Sequence, residues 1–198
     1  MAINAGADAV GLVGTMPSGP GPIADDDIRR IAASVPPPIA TFLLTSEQTA
    51  AGVIDHHHRT KTNTIQIVDE LLGREYESIR RALPHVKLVQ VIHAVGERSV
   101  DEAAEIAGYV DAILLDSGNP NLAVKELGGT GRRHDWSLSR RIVETCGKPV
   151  FLAGGLNAEN VREAIEKVGP FGLDICSGVR TGGNLDERKL AQFFENCL

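Results

Sequence analysis

The chain has 198 residues, of which 42% are hydrophobic, and it carries a formal net charge of −6. This length predicts a single domain spanning residues 1–198 with one substantial core. The acidic balance and scattered basic residues argue against nucleic-acid or anionic-membrane partners, and the longest apolar runs are far shorter than the roughly 20 residues that span a bilayer. We therefore expect a cytoplasmic protein that binds a small molecule.

Short apolar runs alternate with stretches of helical periodicity, which is the pattern of parallel strands joined by crossover helices. The predicted strands are 9–14, 39–45, 64–68, 87–93, 112–116, 150–153 and 173–177, and the predicted helices are 25–34, 46–58, 74–83, 99–108, 137–146, 158–168 and 185–196. Capping-box spacing marks two helix starts, Thr45 with Gln48 and Ser99 with Glu102. Asn157 and Asp135 are further predicted caps, each just before a periodic stretch.

The predicted strands are almost entirely apolar rather than alternating, so both of their faces should be buried. One face would meet the helices and the other the interior of a closed ring, which favours a (β/α)8 TIM barrel over an open sheet. The residues before Asp8 are typical of the last turn of a helix ending at Gly6, with no strand in front of it. We therefore expect seven strands and an N-terminal strand missing from the chain.

Two strand exits are rich in glycine, at 153–157 and at 176–183. In such barrels the active site lies on the loops after the strands, and phosphate is usually held after the last two. Glycines let backbone N–H groups close on an anion, and the following helix N-terminus adds its positive end. Tight strand-to-helix turns are the alternative for either loop alone. Two such loops on adjacent strands favour a phosphorylated ligand.

Asp116 ends the apolar run 111–116 at the predicted mouth of the barrel. A carboxylate there suits general acid–base chemistry, because burial and a neighbouring phosphate both raise its pKa toward the working pH. A solvated loop acid, or a cap for the next turn, is the alternative. The long glycine-rich stretch that follows, 117–134, has the length of loops that act as lids.

A series of motifs in chain order resembles the phosphoribosylanthranilate isomerase family, tryptophan-pathway barrels of the ribulose-phosphate-binding type. They occupy 6–11, 114–116, 128–131, 135–137, 152–157 with 159–161, and 174 with 177–179. The resemblance implies an aldose–ketose isomerase that needs no cofactor or metal. Its reaction would be the Amadori rearrangement of N-(5-phosphoribosyl)anthranilate to 1-(2-carboxyphenylamino)-1-deoxyribulose 5-phosphate, in which an aspartate acid opens the furanose ring and a cysteine base removes the C2 proton.

Carried over by residue, the resemblance makes Asp116 the general acid. It implies phosphate or substrate contacts at Gly154, Gly155, Ser177 and Gly178, at Gly129 and Thr130 in the mobile glycine loop 128–131, and at Asp174. Asp174 would contact the substrate amine or sugar, with a structural hydrogen-bond role as its alternative. We expect a monomer or a homodimer.

The chain departs from the family pattern at several positions. The family's catalytic cysteine lies on the strand expected to be missing. Cys146, Cys176 and Cys197 are expected to be free thiols, and Cys176 beside a phosphate is a poor base because the anion keeps it protonated. Segment 16–22 lacks an arginine that the family uses at the anthranilate end, and Val68 stands in place of a histidine. His93, Arg132 and Arg133 are candidates to supply positive charge instead.

Two further features have simple structural interpretations. The run His56-His57-His58 cannot close one metal site, since adjacent helical residues point about 100° apart, and we expect a solvated helix end. Trp136 is expected to pack into the core. Besides the isomerase, the sequence leaves open a non-catalytic phospho-ligand binder or inactive fragment, and a related barrel isomerase acting on another phosphorylated sugar.

Overall fold

The computed structural model describes residues 1–17, 21–118 and 135–197. Its strands are β1 (Ala9–Val13), β2 (Ala40–Thr45), β3 (Thr64–Ile67), β4 (Lys87–His93), β5 (Ala112–Asp116), β6 (Val150–Leu152), β7 (Gly172–Leu173), β8 (Arg180–Thr181) and β9 (Asn184–Leu185). Its α-helices are α1 (Asp25–Ser34), α2 (Ala50–Thr60), α3 (Tyr76–Ala82), α4 (Arg98–Ala107), α5 (Trp136–Thr145), α6 (Val161–Val168) and α7 (Glu187–Cys197). Three 3-10 helices occupy Ile3–Ala5, Leu72–Arg74 and Ser177–Val179.

Strands β1 to β7 form one curled sheet in sequence order, and every neighbouring pair is parallel. Helices separate successive strands from β1 to β7, so the predicted alternation and the seven predicted strands are confirmed. Among the described residues, the outer edges of β1 and β7 pair with no further strand. The carboxyl ends of all seven strands therefore meet at one rim of the sheet.

Apolar side chains fill both faces of the sheet. On the helix side, Ile65, Ile113 and Leu115 are completely buried in the largest hydrophobic cluster, which includes residues of the surrounding helices. The opposite, concave face carries a second cluster formed by strand and loop residues. Its members are Val68, Val89, Val91, Ala112, Leu114 and Ala153, with Met16, Phe42, Leu44 and Phe151 packed against them. This double burial explains why the strands are almost uniformly apolar.

The predicted helix starts are only partly correct. Asp135 does cap α5, because its side chain accepts the Ser137 N–H at 2.8 Å. The predicted Thr45–Gln48 capping box is wrong, since Thr49 caps α2 by accepting the Gly52 N–H at 3.1 Å.

The predicted Ser99–Glu102 box is also wrong. Ser99 lies inside α4, and its hydroxyl donates to the His93 carbonyl at 3.1 Å. Asn157 precedes α6 by a turn and accepts the N–H groups of Glu159 and Asn160 at 2.9 and 3.1 Å, so it orders the turn that leads into the helix.

The last predicted parallel strand is shorter than expected. Only Gly172–Leu173 belongs to β7, and one further ladder bond runs from the Asp174 N–H to the Leu152 carbonyl at 2.9 Å. The chain then leaves the extended conformation at Cys176, where ψ is −77°, and enters the 3-10 helix. Farther along, Gly182 and Gly183, at φ +57° and +82°, make the turn of the β8–β9 hairpin. Those two glycines of the predicted phosphate loop therefore have a turn-forming role.

The N-terminal turn agrees with the sequence interpretation. Gly6 adopts φ +107° and closes the 3-10 helix by donating its N–H to the Ile3 carbonyl. Trp136 is buried in the main cluster, as expected. Among the described residues, none of the helices is long and apolar enough to cross a membrane.

Candidate active site

Asp116 is the last residue of β5 and lies at the rim where all seven strands end. Its side chain is only 6% exposed and accepts the Gly118 N–H at 2.9 Å. Burial raises the pKa of Asp116 above its ordinary value, against the opposing effects of the Gly118 hydrogen bond and the positive charge of His93. His93 ends β4 and is the register partner of Asp116. Asp116 can therefore keep a proton at a pH where an ordinary aspartate has lost it.

Asp174 follows β7 at the same rim. Leu173 and Ile175 pack into the helix-side cluster, so the alternation of side chains directs Asp174 to the concave face. Surrounding protein atoms raise the pKa of Asp174 to about 6, with a further contribution from the charge of Asp116. Asp174 nevertheless keeps more than a third of its surface in contact with water, which moderates the effect of burial. Asp116 and Asp174 are thus two interacting carboxyl groups with raised pKa values, and they can hold a proton at a pH where ordinary aspartates have lost it.

The loop after β6 packs tightly against the loop after β5. Gly154 has φ +85°, and a Cβ added there would lie 2.8 Å from the Ser117 Oγ and 2.9 Å from the Ser117 nitrogen. Gly155 also has positive φ, +66°, and its carbonyl accepts a hydrogen bond from the Asn160 side chain at 2.9 Å. The glycines are required here because the backbone turns sharply and approaches Ser117 closely.

The loop after β7 packs in turn against the loop after β6. A Cβ on Gly178 would overlap the Leu156 carbonyl oxygen and lie 3.2 Å from the Asn157 Cα. Ser177 precedes it at the start of the 3-10 helix and is exposed. The structure thus brings Gly154, Gly155, Ser177 and Gly178 into one glycine-lined region next to Asp116. Closely spaced backbone and hydroxyl groups of this kind suit an anionic ligand.

The remaining sequence-based candidates are the glycine loop, two arginines and three cysteines. Gly129 and Thr130, with the whole segment 128–131, lie outside the described residues, as do Arg132 and Arg133. Cys176 borders the glycine-lined region and is partly buried, whereas Cys146 is buried at the end of α5 and Cys197 ends α7.

The histidine run differs from the prediction of a solvated helix end. His56 and His57 are 4% and 7% exposed, and only His58 faces solvent. The prediction was wrong because two of the three rings are buried and hydrogen-bonded: His56 to Thr45 at the end of β2, and His57 to the Thr62 carbonyl in the segment before β3. Across residues 1–17, 21–118 and 135–197, no group of three or more His, Cys, Asp or Glu side chains is placed to hold a metal ion.

Sequence reasoning missed the residues that join the loops. Ser117 is the close neighbour of Gly154, and Asn160 fixes the loop by bonding Gly155 and by accepting the Asn157 N–H at 3.0 Å. Only Asn157 carried a local signal, since an asparagine side chain that bonds the backbone two residues on commonly orders a turn. The contact of Ser117 with Gly154 is long-range and leaves no sequence pattern.

Comparison with known proteins gives a consistent result. The family model described as N-(5'phosphoribosyl)anthranilate (PRA) isomerase matches residues 2–196. N-(5'-phosphoribosyl)anthranilate isomerase 2 of Methanosarcina mazei is 35% identical over 195 residues, covering 98% of this chain and 85% of the relative.

Solved structures agree with the sequence comparison. The crystal structure of phosphoribosyl anthranilate isomerase from Thermotoga maritima has a TM-score of 0.79 and 29% identity, covering 99% of this chain and 90% of that one. A second isomerase, in complex with reduced 1-(o-carboxyphenylamino)-1-deoxyribulose 5-phosphate, has a TM-score of 0.76 and 27% identity with the same coverage. Matched over nearly its whole length in sequence and in fold, the chain belongs to the N-(5'-phosphoribosyl)anthranilate isomerase family.

Proposed function

We propose that this protein catalyses the Amadori rearrangement of N-(5-phosphoribosyl)anthranilate to 1-(2-carboxyphenylamino)-1-deoxyribulose 5-phosphate in tryptophan biosynthesis. The observation that carries the proposal is the buried Asp116, whose raised pKa suits a proton donor and whose loop contacts the glycine-lined region. Family membership supports the same reaction. We also propose that the reaction takes place in the cytoplasm.

Asp116 is the proposed general acid for the first step. It donates its proton to the furanose ring oxygen, the bond between that oxygen and C1 breaks, and the nitrogen lone pair forms a C1=N bond. A base then removes the C2 proton, and the electrons of that C–H bond form the C1=C2 bond of an enol while the nitrogen regains its lone pair. Tautomerisation of the enol gives the ketone, so the product is an isomer of the substrate.

The phosphate group is proposed to bind at Gly154, Gly155, Ser177 and Gly178, where the loops after β6 and β7 meet. Asp174, on the concave face beside Asp116, is the proposed contact to the substrate amine or sugar. Gly129 and Thr130 are proposed to contact the substrate from the glycine loop, on the strength of the family resemblance alone.

We further propose that residues 1–198 are a single domain and that the curled sheet belongs to an eight-stranded barrel. Within the part of the chain that the structure describes, the outer edges of β1 and β7 pair with no strand, and this together with the apolar concave face supports closure by one more parallel strand. The family resemblance assigns the base of the second step to a cysteine on that strand. The added strand would place the base across the concave face from Asp116.

Asp116→Asn tests the assignment of the acid. The amide keeps the size and the hydrogen-bond geometry but cannot donate the proton, so turnover should fall at least a hundredfold, the usual contribution of general acid catalysis. Binding of the reduced product analogue, measured by calorimetry, should stay within about twofold because the glycine-lined region is untouched. An Asp116→Asn variant with normal turnover would remove the central residue from the mechanism.

A non-catalytic phospho-ligand binder is the second candidate. It is favoured by the outer edges of β1 and β7, which pair with no strand in the described ranges 1–17, 21–118 and 135–197. Turnover should be compared for the 198-residue chain and for a chain extended at its N-terminus to supply the further strand. Activity that appears only on extension supports the isomerase. Phosphate-dependent ligand binding without turnover in both proteins supports the binder.

A third candidate is an isomerase for another phosphorylated sugar. Met16, in the segment that lacks the family's arginine, and Val68, in the place of its histidine, both pack in the concave-face cluster and give it an apolar surface there. Comparing kcat/KM for phosphoribosylanthranilate with that for other phosphoribosyl compounds decides between the substrates.

A further inference from the structure

His56 makes hydrogen bonds through both of its ring nitrogens at the rim of the sheet. Its Nδ1 lies 2.8 Å from the Thr45 Oγ1 at the end of β2, and its Nε2 lies 3.2 Å from the Asp25 Oδ1 at the start of α1. A carboxylate only accepts hydrogen bonds, so Nε2 carries a hydrogen and donates it to Asp25. The Thr45 hydroxyl is the hydrogen-bond partner of Nδ1. The ring is therefore fixed in orientation between α1, α2 and β2.

Asp25 is held in turn by Arg59, whose Nε donates to the Asp25 Oδ2 at 2.6 Å. Burial acts to raise the pKa of Asp25, but the hydrogen bond from Arg59 and the positive charges of His56 and Arg59 outweigh it and lower that pKa. Asp25 therefore stays ionised at neutral pH and remains an acceptor for His56. The set Asp25–His56–Arg59 also joins the first turn of α1 to the last turns of α2.

The His56 ring packs directly on the backbone of Gly14, the first residue after β1. A Cβ on Gly14 would lie 2.8 Å from the His56 Nε2 and 3.1 Å from the Leu44 carbonyl oxygen. The next residue, Thr15, is tied to the β2 exit because its carbonyl accepts the Ser46 hydroxyl at 2.9 Å. His56 thus supports the start of the loop that carries Met16.

Met16 packs on the concave face in the cluster that includes Leu44 and Val68. Its loop therefore forms the rim over β1 to β3, on the far side of Asp116 from the glycine-lined region after β6 and β7. His56 contacts the end of β2, the start of α1 and Gly14 after β1, whereas Asp116 ends β5, three strands farther along the sheet from β2. The influence of His56 on the site therefore passes through Gly14 and the loop that follows it.

We propose that His56 is a positioning residue that fixes residues 14–16 at the active-site rim and thereby shapes the surface that receives the aryl end of the substrate. The inference rests on the proposed function. With the phosphate held after β6 and β7 and the ring oxygen at Asp116, the aryl group extends toward β1 to β3. Loss of the His56 support should weaken recognition of the aryl end and leave the phosphate end unchanged.

The test compares two ligands by calorimetry, the reduced aryl product analogue and ribose 5-phosphate, which lacks the aryl group. His56→Ala should weaken the aryl ligand roughly tenfold, the scale of one lost hydrogen-bonded contact, and change ribose 5-phosphate less than about twofold. Thr45→Val removes the hydroxyl that bonds the His56 Nδ1, together with the longer bond that this hydroxyl accepts from the Glu47 N–H at 3.3 Å. It should give a smaller loss of the same kind even if His56→Ala folds poorly.

Two neighbouring histidines provide matched controls. His57 is equally buried but bonds the Thr62 carbonyl at 2.8 Å, before β3 begins, and His58 is exposed. His57→Ala should cost stability without separating the two ligands, and His58→Ala should change neither affinity. Equal losses for both ligands in His56→Ala and Thr45→Val, or an unchanged aryl affinity in both, would overturn the proposal.

If the proposed function is wrong, the two ligands should give a different result. The wild-type protein would then bind ribose 5-phosphate but not the aryl ligand. In that case amide hydrogen exchange decides on the positioning role: exchange in residues 14–16 should be faster in His56→Ala and unchanged in His57→Ala. Unchanged exchange in His56→Ala would refute it.

Discussion

Replacing Gly154 with alanine tests whether the loops after β5 and β6 are as tightly packed as the structure indicates. The residue has φ +85°, and its new methyl group would lie 2.8 Å from the Ser117 Oγ and 2.9 Å from the Ser117 nitrogen. An alanine in the left-handed region costs about 1–2 kcal/mol. Relieving the overlap with Ser117 adds about 1–3 kcal/mol. We expect a total loss of roughly 2–5 kcal/mol of unfolding free energy.

Gly147 provides the control because it has a similar φ of +68° with no atom within 4 Å of an added Cβ. Gly147→Ala should cost only the conformational term, about 1–2 kcal/mol. Urea unfolding followed by circular dichroism gives both free energies from the midpoint and the slope. Equal losses in the two variants would show that Ser117 yields freely, and the inference of a rigid contact between the loops would be wrong.

Two further predictions concern ionisable groups. Asp174 has its pKa raised from 3.8 to about 6, so the folded protein binds more protons than the unfolded chain in that window. Stability should therefore decrease as the pH rises between these two pKa values. In Asp174→Asn this decrease should be smaller, as measured by the urea midpoint from about pH 4 to about pH 7. Asp111, before β5 at the opposite end of the sheet, accepts from Arg80 at 3.0 Å and from the Leu88 N–H at 2.9 Å. Asp111→Asn should cost about 1–3 kcal/mol in unfolding free energy but leave kcat/KM unchanged, and a selective loss of kcat/KM would contradict this separation.

The parallel sheet could be predicted from the sequence because its strands are buried on both faces. Strands β4 and β5 begin and end as predicted, at Lys87–His93 and Ala112–Asp116. The run in β5 is apolar up to Asp116, and β4 is apolar between its polar ends except at Gln90. Asp116 could be selected for the same reason. The strand itself fixes the position of a single acid at its end, so that position can be predicted without knowledge of long-range contacts.

The errors arose where distant partners decide the local structure. The hydroxyl of Thr45 resembles a helix cap in the sequence, but it bonds the ring of His56, and Thr49 caps α2 instead. Burial of His56 depends on Asp25, 31 residues earlier, so a polar run was mistaken for a solvated one. Local patterns predict which residues form an element and fail to predict which long-range partners its polar groups find.

The packing of Gly154 on Ser117 and of Gly178 on the Leu156 carbonyl has a consequence for engineering and for evolution. Barrel enzymes are often regarded as scaffolds whose loops can be exchanged one at a time. Here Ser117 packs on Gly154, and Gly178 packs on the Leu156 carbonyl, and neither contact leaves room for a single methyl group. A loop after β6 that is grafted from another enzyme would meet Ser117 and Gly178 in positions that fit the original loop, so the three strand exits after β5, β6 and β7 must be transplanted, or must diverge, as one unit.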